Sequence, residues 1–174
     1  MWFSGAGERS FPHTTAVVVH GLQIAKQNDV ALVPGVLERG TDWLKRYQAE
    51  QVQWLKNWVE KKDVPNIPKK AHADALDSMI YMILNDGDSD NVEMRNFLYR
   101  DRIQLPVYAK ATFGLALHKV GDKEKLDMIL QNIEQFIVED AENETAYLKM
   151  PPEYSWWSWH GDEVEANAYY LKLL

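Results

Sequence analysis

Apolar residues recur along most of this chain at steps of three and four, which predicts a series of amphipathic helices and almost no strand. Val36, Leu37, Trp43, Leu44, Tyr47, Val52, Trp54, Leu55 and Trp58 keep that spacing within a charged background, so a long helix opening near Pro34 buries one face. Leu126, Ile129, Leu130, Ile133, Phe136 and Ile137 do the same in a helix expected from Lys123 to about Asn143, and a shorter helix covers Val92 to Tyr99. Between these lie helices of another character, richer in Ala and Gly and less charged. They run through Ala16, Val19, Leu22 and Ile24, from about Lys70 to Leu84, from Pro106 to the stop at Gly121, and onward from near Glu163. Thr14 or Thr15 is placed to cap the first of them. Pro65 and Pro68 mark a loop, and Asn85-Asp86-Gly87-Asp88 marks a turn.

The alternation carries an architecture. Helices with small, nearly uniform apolar surfaces pack closely on both sides and belong inside an array, whereas helices with one charged face belong outside. The expected fold is all-α: an α/α toroid of alternating inner and outer helices, here incomplete. Two Trp-rich loops reinforce this by echoing one another. Trp2-Phe3-Ser4-Gly5 precedes the first inner helix, and Trp156-Trp157-Ser158-Trp159-His160 precedes the last.

Composition narrows the possibilities further. The chain has 174 residues, one domain's worth, and a net charge of -7, which opposes binding driven by phosphate neutralisation, so no nucleic-acid partner is expected. Cys is absent, which excludes disulfides, thiolate catalysis and Cys-bound zinc within the chain. No apolar run approaches the roughly 18 residues of a membrane span, and no export signal is visible. The chain opens in an aromatic loop and closes in the apolar run Tyr169-Tyr170-Leu171-Lys172-Leu173-Leu174, so it is expected to be part of a larger protein.

Candidate chemistry is sparse. An EF-hand loop starting at Asp86 would need Gly and Glu where Asn91 and Phe97 stand, so the acidic run reads as a polar turn and no metal site is expected. The five His residues form no zinc motif; His20 and His118 fall within inner helices, while His13 and His160 precede them. Gly5-Ala6-Gly7 follows no strand and is no nucleotide site. No cofactor and no catalytic residue is assigned. Trp157, Trp159 and His160 are the ligand-contact candidates, because an aromatic platform beside a polar group can hold a sugar. The copy at Trp2-Phe3 instead favours aromatic plugs at the end of a barrel.

The echo segments also carry a resemblance. Trp2-Phe3-Ser4-Gly5 followed by Ser10 to Leu22, with Thr14-Thr15-Ala16 opening the helix, resembles the thioester domain of bacterial alpha-2-macroglobulins, relatives of the thioester-containing complement proteins. Val36 to Gln48, ending Trp43-Leu44-Lys45-Arg46-Tyr47-Gln48, resembles the outer helix that follows, and Val164 to Leu171 resembles the last inner helix. The likeness runs in order over most of the chain and identifies residues 1–174 as a partial thioester domain.

The resemblance implies an α/α toroid and a part in broad endopeptidase inhibition, not an enzyme. In that family, cleavage of a bait region exposes an internal thioester between Cys and Gln of a Cys-x-Glu-Gln motif, which then captures the protease. That motif is not in this chain, and family order places it upstream. Complement members use a His to tune the thioester; His72 is the one His of the corresponding stretch, and its flanks differ, so the role is not carried over. The implied partners are target proteases and neighbouring domains, and the implied location is the periplasm or cell envelope. An incomplete toroid also exposes an apolar seam, through which the fragment is expected to self-associate. The rival expectation is an α/α-toroid enzyme acting on polysaccharide or isoprenoid, with Trp157, Trp159 and His160 at its cavity.

Overall fold

The computed structural model describes residues 10–150 and 163–174. The protein is predominantly helical: α1 (Pro12–Gln27), α2 (Val36–Glu60), α3 (Ala75–Asp86), α4 (Val92–Arg100), α5 (Val107–Val120), α6 (Lys123–Glu134) and α7 (Glu163–Leu173), with one small hairpin, β1 (Ile137–Asp140) and β2 (Thr145–Leu148), before α7.

Local chemistry sets most of the boundaries. The Asp74 carboxylate accepts from Leu76 N and Asp77 N at 3.0 Å each, and Asp77 accepts from Asp74 N at 3.0 Å. This reciprocal cap starts α3 at Ala75, later than the Lys70 expected from its apolar spacing. Asn91 caps α4 and Asp122 caps α6, each through a backbone N–H three residues on. Gly121, at φ 74°, ends α5 in the left-handed conformation that glycine adopts without steric cost. At α1 the expectation fails. Neither Thr14 nor Thr15 caps it, because Pro12 opens the helix two residues earlier and suits the first turn.

A larger correction concerns the segment after Glu134, expected to be helix as far as Asn143. It turns into the hairpin, with Ile137 opposite Leu148 and Asp140 opposite Thr145. Ile137-Val138 and Thr145-Ala146-Tyr147 favour extended backbone. The Asp140 carboxylate accepts from Glu142 N and Asn143 N at 3.1 and 3.2 Å, and Glu144 sits at φ 52°. Asp and Asn side chains that bond nearby backbone groups compete with helix and favour turns.

The helices lie in two layers. α3 packs against α1 and α5, and α5 against α7, making one row of the odd-numbered helices. Behind it, α2 lies on α1 and α3, α4 on α2 and α3, and α6 on α5. Between α3 and α5, Ser78 Oγ donates to Ala109 O at 2.7 Å and shares a hydrogen bond with Thr112 Oγ1 at 2.8 Å. One turn on, the rings of Tyr81 and Phe113 meet at 5.9 Å. Tyr108 meets Tyr169 edge to face at 5.3 Å, and farther along Leu173 fills the space beside Gly114. Contacts that advance together along both partners mean that α3, α5 and α7 run parallel. A Cβ at Gly114 would stand 2.5 Å from Leu173 Cδ2, so a larger residue there would push the Leu173 side chain aside.

Burial follows position in the row. Every residue from Asp77 to Asn85 of α3 is buried, as is the run from Val107 to Gly114 of α5. In α1 only Ala16, Val19 and Gln23 are buried, and in α7 only Ala166. Along the apolar stripe of α2, Leu44, Val52 and Leu55 are buried and the residues between them half-buried, but Trp58, expected on the same face, is 41% exposed.

Candidate functional site

Trp157, Trp159 and His160 lie outside the described residues, as does the Trp2-Phe3 loop. The other histidines are spread over the molecule. His13 sits in the first turn of α1, His118 is exposed near the end of α5, and His72 is exposed just before α3. His20 is drawn into a polar constellation.

That constellation stands beside a cleft of about 700 Å³ between α1, the first turns of α2 and the turn after α3. Its walls include Gln23, Lys26, Glu38, Asp42, Asp86 and Asp88. Gln23 is anchored by donating to Ile83 O at 2.9 Å, and it helps to tie α1 to α3. His20 Nδ1 is buried with no hydrogen-bond partner, 3.9 Å from Asp86 Oδ2. Burial lowers the pKa of His20; the Asp86 carboxylate opposes this and the Lys172 ammonium of α7 reinforces it. Burial thus favours the neutral imidazole at His20, with Asp86 of α3 the carboxylate beside it. The cleft mixes carboxylates and ammonium groups, a lining suited to polar binding.

The acidic stretch forms the end of α3 and the turn after it. Asp86 faces His20, Asp88 pairs with Lys119 at 3.0 Å, and Asp90 accepts from Tyr81 Oη at 2.7 Å and pairs with Arg95 at 3.2 Å. The carboxylates serve different partners, and among the described residues no group of three His, Asp or Glu side chains converges to hold a metal ion.

Two further polar clusters went unnoticed in the sequence. Asp101 is buried and accepts both Arg100 Nε and Nη2, at 2.8 and 2.7 Å, together with Ala73 N at 2.8 Å and His72 Nδ1 at 3.3 Å. Burial alone would raise its pKa, but these hydrogen bonds outweigh it and hold the carboxyl below its ordinary range. Because the ionised carboxylate can only accept, Nδ1 of His72 carries the proton. The arrangement pins the segment leading into α3. Nearby, Lys70 Nζ donates to Asp77 Oδ2 at 2.7 Å and to Gln51 Oε1 at 3.1 Å, and pairs with Asp74 Oδ2 at 2.7 Å. Burial, then the neighbouring Asp74, push Asp77 up to about 6 against the pull of Lys70. Burial works against the Lys70 charge, but the two carboxylates prevail and raise its pKa. The Asp-x-x-Asp spacing of Asp74 and Asp77 was the one local signal that could have revealed this cluster. Asp101 and His72 are 29 residues apart, and nothing in the sequence joins them.

Comparison adds no relative. No protein-family model matches this chain, and neither a curated protein nor a solved structure matches it significantly. Among the described residues no helix is long and apolar enough to cross a membrane.

Proposed function

We propose that this chain is part of the thioester domain of an alpha-2-macroglobulin-like endopeptidase inhibitor, serving as the helical scaffold of a thioester that lies outside it. The observation that carries this reading is the place of two helices. α1 and α7, which bear two of the three resembling helical segments, stand at the two ends of one row with α3 and α5 between them. An inner row of parallel helices backed by an outer layer is the element from which an α/α toroid is built, and the reading extends it to a closed ring. The absence of Cys makes the chain itself chemically inert toward thioester formation. Its working partners are the target proteases and the neighbouring domains of the longer polypeptide, in the periplasm or cell envelope.

The reading is tested on the open reading frame that contains the chain. A Cys-x-Glu-Gln motif is expected upstream of Met1, and the complete product should form SDS-stable conjugates with an added endopeptidase. Pretreatment with methylamine, which consumes thioesters, should abolish them. A frame that opens at Met1 and encodes no further domain would overturn the proposal.

A further inference from the structure

The cleft between α1, the first turns of α2 and the turn after α3 is lined by charges that are not spent on one another. Glu38, Asp42 and Lys45 of α2 line it at spacings i, i+4 and i+7, which sets them along one stripe about 10 Å long. Lys26 lines it from α1. All four are exposed, and among the described residues none of them forms an ion pair. The remaining wall differs. Asp86 stands beside His20, and Asp88 is paired with Lys119. Two ammonium groups and two carboxylates are therefore left to meet what enters the cleft.

Gln23 adds a buried polar group to the same lining. It is 9% exposed, and its Nε2 is committed to Ile83 O at 2.9 Å. Its Oε1 is buried and has no hydrogen-bond partner. Buried polar atoms are nearly always paired, so an orphan acceptor at a cleft calls for a donor from outside. Gly87 keeps the space beside this amide clear, since a Cβ there would stand 3.3 Å from Gln23 Nε2.

These groups define the class of ligand. Unpaired charges of both signs around one cavity match a molecule that carries both signs itself. A simple anion or a diamine would meet one pair and leave the other facing it. The volume of about 700 Å³ is that of a small-molecule site. An extended chain of three residues spans about 10 Å, the length of the α2 stripe.

We propose that this cleft binds a short zwitterionic peptide. Its terminal ammonium meets Glu38 and Asp42, its terminal carboxylate meets Lys45 and Lys26, and a peptide N–H donates to Gln23 Oε1.

The test uses the whole 174-residue chain and three ligands of one length: tri-alanine, its N-acetylated form and its C-terminal amide. Isothermal titration calorimetry should show saturable binding of tri-alanine, at least roughly tenfold tighter than that of either blocked form. Asp42→Asn and Lys45→Gln should each weaken tri-alanine by a similar factor, with circular dichroism unchanged because both sites are exposed. Each loss should also be specific to one end. Asp42→Asn should leave the affinity for the N-acetylated form unchanged, and Lys45→Gln that for the amide. Glu139→Gln, at an exposed site on the hairpin, should leave all binding intact.

No saturable binding of tri-alanine at millimolar concentration, or equal binding of the three forms, would overturn the inference. So would tri-alanine binding that survives both Asp42→Asn and Lys45→Gln, or that Glu139→Gln damages equally. Tighter binding of the diamine putrescine would overturn it as well, by showing the cleft to be a site for cations alone. None of these outcomes depends on a thioester.

Discussion

The middle of the helical row and its two ends are built from much the same residues and live in different surroundings. α3 and α5 hide nearly every side chain, polar ones included, because neighbours on both sides and a second layer behind enclose them. α1 and α7 are also rich in Ala and aliphatics, yet Val17 and Val18 of α1 stand about half exposed (48% and 52%). A helix's composition records what it can tolerate burying; its place in the row decides what is buried. The polar groups make the same point. Ser78 and Thr112 at the α3–α5 seam satisfy one another, whereas His20, at the edge, keeps an unpartnered ring nitrogen.

The largest effect should come from the middle. Phe113 is fully buried against Tyr81, so Phe113→Ala should lower stability by about 3–5 kcal/mol, measured by chemical denaturation. A loss as small as that of a surface substitution would break the contrast between centre and ends.

The junction of the two regions comes next. Gly114→Val forces Leu173 aside and should destabilise by about 1–3 kcal/mol. Hydrogen exchange should then accelerate in α7 first, and acceleration confined to α3 would show that α7 is not held through this contact.

A subtler effect belongs to Lys110, buried in α5 with its ammonium donating to Leu105 O and lying over the Phe136 ring. Burial lowers its pKa from 10.5 to about 8. Between those values the unfolded chain holds more protons than the folded one, so this residue makes stability rise with pH from about 8 to 10.5. The difference in stability between the wild type and Lys110→Met should therefore shift in favour of the wild type across that window. A difference independent of pH would mean that the ammonium is better solvated than its burial implies.

The smallest effect is expected at the end of the row. Leu171→Ser, at an exposed site, should change stability by no more than about 0.5 kcal/mol. A thermal shift comparable to that of Gly114→Val would show that Leu171 is covered in solution.

Helix existence was legible because the information is local. The Gly121 stop and the 3.6-residue stripes of α2 and α6 act within a few residues of the backbone they control. The hairpin was missed because Leu126 to Ile137 keeps a helical period, although the helix stops at Glu134 and the side chain of Asp140 makes the turn between the two strands.

By itself, then, the amino-acid order determined where most helices begin and end and which faces could be buried. Only the tertiary structure decided that α3 and α5 are enclosed while α1 and α7 are not, that His72 meets Asp101, and that Asp86 of α3 stands 3.9 Å from His20 of α1. The reason is physical. Caps and periodicity are short-range properties of a single segment, whereas burial, ion pairing and pKa depend on which segments the whole chain brings together, and that is a property of no single one of them.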